Sequence, residues 1–497
     1  MVTGTPWRHG QEPSELLAVL RGALISALPG WLETRRWFAD KGRGFAGIEL
    51  EDALVERIGD DWLMLAIAHV RFIDGAAARY VLPLAWTLSP GDAEGVASAP
   101  IGQDLGAITD ATEMTWFGGW FLDAMGDFFE SPDSRWRFAA DPAAAGIALA
   151  RESPATVMRA EQSNTSLRFD DAIIVKLIRR LQPGPNPDEE MLRALAGAGF
   201  ERVPRYAGAA SWRSGDGVTY PIALAQAFVP NLGDGWSRML HRLEDVAAGT
   251  IAHQLASTSP EGLLGRRTGE LHVALCQIDE PAFTPESPSP DAITADMRRT
   301  HEAIDTAVSL IEEGRARLPH LLRSDLPRTI AALRATVTRA EGFRDEAVTR
   351  RIRVHGDFHL GQTLRTPDGD WMLIDFEGEP ARPVAERREK TSALKDVAGM
   401  LRSFAYARGA AERAAGERAG REVRIRFSRW EAEARVAFLM AYREALGAAP
   451  APLVPADDDA FARALAAWEL DKALYEIAYE VRNRPEWLEL PLRSLLA

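Results

Sequence analysis

Cysteine is nearly absent from this chain. Cys276 is the only one among 497 residues, so no intrachain disulfide can form, and a reducing cytoplasm is the expected compartment. Histidine is sparse as well, with nine copies and no cluster, which argues against a structural zinc site. No apolar run reaches the ~18 residues of a membrane span. The first 13 residues are polar, include Pro6 and Pro13, and lack the basic-then-apolar order of a secretory signal. A basic surplus is also missing. There are 58 Lys and Arg against 72 Asp and Glu, a net charge of −14, which disfavours a phosphate-backbone partner. What remains is ordinary globular composition, 46% hydrophobic and 26% charged, with length for about three domains of roughly 150 residues.

The pattern along the chain changes character twice. Ile48–Glu56, Trp62–His69 and Tyr80–Trp86 read as short strands, with Gly59-Asp60-Asp61 as a turn between the first two. These belong to a small mixed module at 1–110. A β-rich region at 111–229 follows, with strands at Ala155–Arg159, Ser166–Phe169, Ile173–Leu177 and Ile222–Val229. A helix at Asp188–Ala198, with Asp188 as its N-cap, interrupts them. From 230 to 497 helical spacing dominates, at Trp236–Leu255, Leu263–Leu275, Met297–Leu318, Ile330–Phe343, Phe427–Leu446 and Asp459–Arg482. Arg408–Arg424 has almost no apolar face and reads as an exposed loop or solvated helix. The fold class is therefore α+β: a cap, a β-rich lobe and a helical lobe, with the cleft between the lobes as the expected ligand site.

Chemistry concentrates in Val354-His355-Gly356-Asp357-Phe358-His359-Leu360-Gly361-Gln362. A short strand, a turn at Thr366-Pro367-Asp368-Gly369 and a second strand at Trp371–Ile374 deliver Asp375-Phe376-Glu377-Gly378. Phosphoryl transfer to a hydroxyl needs a carboxylate at the acceptor, oxygen ligands for metal on the phosphates, and a cation on the phosphate oxygens. Asp357 suits the first role, as the base that takes the hydroxyl proton. Gln362 and Asp375 suit the second, as hard oxygen ligands for Mg2+. The hairpin returns the chain so that all three converge. A lone Asp-x-x-x-x-Gln pair is usually a solvated loop; the whole set is far more specific. His355 and His359 read as buttresses of loop backbone, and His272 as structural.

The phosphate cation is sought in the β-rich lobe. Lys176 sits among Ile173, Ile174, Val175 and Leu177, where a lysine is costly unless paired. Glu190 on the following helix is the expected partner, a strand-lysine and helix-glutamate pair of the kinase kind. Gln162, Ser163 and Asn164 precede the lysine strand and offer backbone N–H groups to the phosphates of ATP. Gln226 to Val229, with Gln226 and Phe228 as named candidates, would form the hinge against adenine.

At this point the residues resemble a known family. His355–Gln362 is similar to the catalytic loop of the aminoglycoside phosphotransferase-like kinases, and the fuller text resembles the bacterial maltokinases. The stretches that carry the likeness include Glu161–Ser166, Pro183–Asp188, Asp375–Pro383, Asp396–Phe404, Tyr475-Glu476 and Arg482–Pro485, with Arg36–Arg43 near the start. The resemblance implies a bilobal protein-kinase-like fold with an N-terminal cap. It implies transfer of the ATP γ-phosphate to the anomeric hydroxyl of maltose, giving maltose 1-phosphate for α-glucan synthesis. That family often occurs fused to trehalose synthase. This chain has no length for it, so such a partner would be a separate protein.

For the sugar, Asp471, Tyr475, Tyr479 and Arg482 fall at i, i+4, i+8 and i+11 on the C-terminal helix and share one face. An acid, two aromatic faces and an arginine would suit a disaccharide; the bland reading is a core-packed helix with a surface ion pair. Glu379, Arg382, Arg402 and Trp487 are weaker candidates. Two other readings stay open: a kinase of the same fold acting on glucosamine, another sugar or an aminoglycoside, and a catalytically dead scaffold.

Overall fold

The computed structural model describes residues 12–91, 95–101, 104–142, 155–158, 164–250, 258–318, 320–380, 382–416 and 420–496. The chain divides into two compact units, Met1–Glu189 with Arg205–Phe228, and Glu190–Pro204 with Val229–Ala497.

In the first unit, α1 (Glu12–Thr34) precedes β1 (Phe45–Ile58), β2 (Asp61–Phe72), β3 (Ala77–Thr87), β4 (Gly95–Ile101) and β5 (Asp104–Asp110). They pair in the order β1-β2-β3-β5-β4. Strand side chains alternate between faces, and in β2 both faces are apolar. Leu63, Leu65 and Ile67 point one way, Met64, Ala66 and Ala68 the other, and all are buried. The second set packs with Leu24, Leu28, Trp31 and Leu32 of α1. The first set shares a core with α2 (Phe117–Gly126) and a second sheet.

That sheet has seven strands: β6 (Phe129–Glu130), β7 (Trp136–Ala140), β8 (Ala155–Met158), β9 (Thr165–Phe169), β10 (Ile173–Leu177), β12 (Tyr206–Arg213) and β13 (Thr219–Ala227). Their order is β6-β7-β12-β13-β10-β9-β8, while β11 (Arg180–Leu181) pairs with β3 of the other sheet. Leu167, Phe169, Ile173, Val175 and Leu177 enter the shared core. The opposite face carries Ser166 and Leu224 beside Lys176, and Arg168 and Gln226 beside Ile174. Arg179 ties the sheets together. Fully buried, it donates to Asp110 and to Thr165 Oγ1, both at 2.9 Å, and lies 4.5 Å from the Trp37 ring.

Helix α3 (Pro187–Gly197) starts from a different cap than expected. Asn186 Oδ1 accepts the Glu189 N–H at 3.0 Å, whereas Asp188 is already in the first turn, with its side chain buried. The second unit is helical: α4 (Gly235–Ala248), α5 (Pro260–Gln277), α6 (Pro290–Glu313), α7 (Leu326–Ala335), α8 (Leu394–Ala415), α9 (Arg421–Ala445), α10 (Asp458–Asn483) and α11 (Glu489–Leu496). α4 stops short of the expected Leu255 because Gly249 adopts φ 73° as its left-handed C-cap. The helix expected over Ile330–Phe343 ends at Ala335 and continues as a 3-10 run, Thr336–Val348. The stretch expected to be solvated, 408–424, supplies the end of α8 and the start of α9. Arg408 joins Glu412 and Glu431, both at 2.9 Å, and a Cβ at Gly409 would lie 2.4 Å from Leu490 Cδ2. Packing through charged pairs and a glycine leaves no apolar period to read.

Candidate functional site

The loop at 355–362 is held from beneath by α8. Asp396 accepts from the backbone N–H of His355 (2.8 Å) and of Gly356 (2.9 Å), and takes His272 Nε2 at 3.0 Å. Ser403 Oγ accepts from Leu360 N–H at 3.0 Å. Between them Gly399 passes so close that a Cβ would lie 2.5 Å from Phe358 O. Burial opposes ionisation of Asp396, yet the bonds from His272 and the loop hold its carboxyl below the usual range. His272 reaches Tyr442 Oη at 3.0 Å on its other side; its contacts are those of a strut. His355 Nε2 bonds Ile374 O at 2.9 Å and His359 Nδ1 accepts from Gly361 N–H at 3.0 Å, both as expected for backbone supports. Burial lowers the His359 pKa, which keeps that ring neutral near pH 7.

The hairpin forms as expected. β14 (Thr363–Arg365) pairs with β15 (Trp371–Leu373), and Asp370 pins it to α5 through Arg267, at 2.8 and 2.7 Å. This brings Gln362 and Asp375 together, Gln362 Nε2 to Asp375 Oδ2 at 2.9 Å. Asp375 holds φ at 68°, a conformation costly for a non-glycine residue and concentrated at functional sites. Two half-buried oxygen-bearing side chains in contact fit a hard cation, once the amide presents its oxygen.

Asp357 meets a residue that the sequence reading did not name. Lys472 of α10 donates to Asp357 Oδ1 at 2.8 Å and to Glu379 Oε1 at 3.2 Å. Glu379 is 2% exposed and is also paired with Arg382 and with Lys395, at 2.5 and 3.6 Å. Burial alone would raise its pKa, but Lys472, Lys395 and Arg382 bring it down to about 2. Burial likewise opposes the charge on Lys472, and the two carboxylates outweigh it, raising its pKa. The signal was present in α10. Lys472 is its only lysine and lies three residues before Tyr475, so it shares that face. The chosen stripe began one residue earlier, about 100° round the helix.

That stripe is spread along α10. Tyr475 has Lys472 Nζ 4.7 Å from its ring centre. Asp471 lines a cavity of about 340 Å3 with Gly356, Gly378, Glu379, Arg382 and Lys395; burial raises its pKa, with Lys395 and Arg299 opposing. Tyr479 lies a turn further on, 45% exposed under Arg484 at 5.3 Å, and Arg482 is exposed beyond it. Arg402 is buried against Glu476, and Trp487 stacks on Tyr406.

In the first unit the expected lysine partner is corrected. Lys176 Nζ is held by Asp188 Oδ2 at 3.0 Å, and the Glu190 carboxylate takes Arg353 (2.6 Å) and Arg388 (2.7 Å) instead. Two residues turn a helix by about 200°, so Asp188 and Glu190 point to opposite sides. Burial would raise the Glu190 pKa; Arg388 and Arg353 hold it low. On the Lys176 face, Gln226 Oε1 and Ser166 Oγ are buried and have no partner among the described residues. Orphaned polar atoms beside a lysine fit a polar ligand with phosphate. In the expected hinge the N–H groups of Ala227 and Phe228 are already taken by Arg205 O and Ala172 O, while the Gln226 Oε1 is open to a ligand. Phe228 lies under Arg168 at 4.3 Å. Asn164 is half-buried just before β9; Gln162 and Ser163 lie outside the described residues.

Comparison with known proteins agrees with this architecture. Residues 31–127 match the maltokinase N-terminal cap domain family. A glucosamine kinase of Streptacidiphilus jiangxiensis is 30% identical over 349 residues, 67% of this chain and 71% of that protein. The chain belongs to the maltokinase-like family of kinases. Another relative in this family's neighbourhood, a glucosamine kinase of Mycolicibacterium smegmatis, is 29% identical over 70% of this chain and 79% of its own. A glucosamine kinase solved with glucosamine, ADP and inorganic phosphate superposes with a TM-score of 0.64 at 23% identity, covering 93% of this chain and 95% of that one. A second crystal form gives 0.66, covering 96% and 98%. The maltokinase-like chain thus has the α+β, kinase-like fold. Among its described residues, no helix is long and apolar enough to cross a membrane.

Proposed function

We propose that this kinase transfers the γ-phosphate of ATP to a sugar hydroxyl, with maltose as acceptor and maltose 1-phosphate as product. The observation that carries the reading is Lys472 of α10 joining Asp357 to Glu379, on the same loop and hairpin that bring Gln362 and Asp375 together. Asp357 accepts the proton of the acceptor hydroxyl. The acceptor oxygen bonds to the γ-phosphorus, the bond to the bridging oxygen breaks, and ADP leaves. Lys472 keeps Asp357 oriented. Lys176, set by Asp188, takes phosphate oxygens, and Gln226 with Ser166 takes polar edges of the nucleotide. Mg2+, held by Gln362 and Asp375, would neutralise phosphate charge when bound.

Residues 1–110 serve as cap, 111–229 as nucleotide lobe and 230–497 as catalytic and sugar lobe. Asp471 and Tyr475 hold the sugar nearest the base, with Tyr479 and Arg482 at its far end. The product enters α-glucan synthesis. A second reading is favoured by two relatives that are glucosamine kinases: the same chemistry with glucosamine as acceptor.

The test is ADP release with ATP and magnesium against maltose, glucose, glucosamine, trehalose and kanamycin. Maltose should turn over and yield a phosphomonoester at the anomeric carbon by phosphorus NMR. Asp357→Asn should cost about 10³-fold in kcat with nucleotide binding retained. Turnover on glucosamine alone moves the acceptor to the second reading. Silence on every sugar rejects the sugar-kinase proposal.

A further inference from the structure

A hydroxyl that gives its proton to Asp357 must sit about 2.6–3.2 Å from that carboxylate. Lys472 Nζ occupies the same neighbourhood, 2.8 Å from Oδ1. We infer that Lys472 is a specificity-determining residue: its ammonium excludes acceptors that carry a positive charge beside the reacting hydroxyl, so the site takes neutral sugars and rejects 2-amino sugars. The inference rests on the sugar-kinase reading with Asp357 at the acceptor.

In a 2-amino-2-deoxy sugar the ammonium stands on the carbon next to the anomeric one. Placing the anomeric oxygen against Asp357 therefore brings the ammonium within a few ångströms of Nζ. Like charges at that separation in a half-buried site disfavour binding by on the order of a hundred-fold. The charge on Lys472 is fixed, because two carboxylates hold its proton.

The surroundings offer a sugar ammonium little compensation. Glu379 is matched by Arg382 and Lys395 as well as Lys472. Glu476, on the next turn of α10, is paired with Arg402. Asp471 is surrounded by Lys395, Arg299 and Arg382. The Tyr475 ring lies under Nζ itself. Asp357 remains, and Lys472 already occupies one of its oxygens. A neutral 2-hydroxyl, in contrast, can accept a hydrogen bond from the Lys472 ammonium.

The experiment compares kcat/KM for each neutral sugar and its 2-amino counterpart, maltose with 2-amino-2-deoxymaltose and glucose with glucosamine, from pH 6 to pH 9. Wild-type protein should prefer the neutral member by about a hundred-fold at pH 6. The preference should shrink as the amino sugar loses its own proton. Lys472→Met should cut the ratio at pH 6 at least ten-fold, whatever it does to absolute kcat, and Lys472→Glu further. An ion pair with a merely structural role would lower turnover on both sugars and leave the ratio alone. A wild-type ratio near one, or a ratio indifferent to both pH and Lys472, overturns the inference while neutral sugars still turn over. If the variants do not fold, the wild-type pH dependence decides by itself. Absence of turnover on every sugar overturns the kinase reading and this inference with it.

Discussion

Glu346 occupies a place where an ionised carboxylate is poorly served. Its Oε1 accepts from Ser392 and from the Trp468 indole, but Oε2 is buried with no partner among the described residues. Burial pushes its pKa up to about 7 from 4.5, against those bonds. The unfolded chain releases this proton near 4.5, so between there and pH 7 the folded protein holds a proton that the unfolded one lacks. Stability therefore falls as pH rises through that window, and the whole cost, about 3 kcal/mol, is present above 7. Glu346→Gln keeps the Oε1 acceptor and removes the ionisation. Urea unfolding should show the variant more stable than wild type by about 1–3 kcal/mol at pH 8 and close to it at pH 5. Parallel pH slopes for the two proteins would mean that Glu346 ionises without cost. At this scale the sequence was legible where chemistry is local. Asp357, Gln362 and Asp375 lie within 19 residues, and their loop and hairpin can be read directly. Lys472 is 115 residues from Asp357, and only packing brings it there. The choice between Asp188 and Glu190 for Lys176 turns on where the helix begins, which the Asn186 cap decides.

Elements act here as supports, and α8 is the clearest case. Asp396, Gly399 and Ser403 fall at i, i+3 and i+7 and present one face to the catalytic loop. Two of them bond loop amides and the third admits the loop backbone. Gly399→Ala would set a methyl against Phe358 O, the residue after Asp357. Backbone must move, and a misplaced base is expensive. We expect kcat to fall at least ten-fold, with nucleotide affinity near wild type by calorimetric titration. Gly265→Ala is the control. A Cβ there would lie 2.1 Å from Phe438 O, where α5 crosses α9, so it should lower the melting temperature without changing kcat per folded molecule. Equal kcat losses in both variants would assign the Gly399 effect to general destabilisation. The helices themselves were legible by period. Their faces were less so beyond Phe404, which packs on Trp430 and Phe438 of α9, because further along α8 the contact with α9 runs through Arg408 and Glu431.

At the scale of the whole molecule, the sequence divides the N-terminal part into a cap and a nucleotide lobe, and each has its own sheet. Their interiors are continuous. Leu65 and Ile67 of the first sheet lie in the same core as Phe169, Val175 and Ile222 of the second, with Phe117 and Phe121 of α2 between them. Arg179 adds a buried ionic tie, to Asp110 on one side and Thr165 on the other. Strand alternation predicts a buried face for each sheet but says nothing about which surface covers it, so this union could not be read from the pattern. A shared core implies shared melting. Ile67→Ala and Val175→Ala each remove buried methyl groups and should cost about 2–5 and 1–3 kcal/mol respectively. Both should move the same calorimetric transition, by roughly 2–4 °C per kcal/mol for a unit of this size. The two sets of neighbours overlap, so the double variant should fall short of or exceed the sum rather than match it. A cap that melts in a transition of its own, with Ile67→Ala shifting only that one, would show that the contact between the sheets is not a cooperative core.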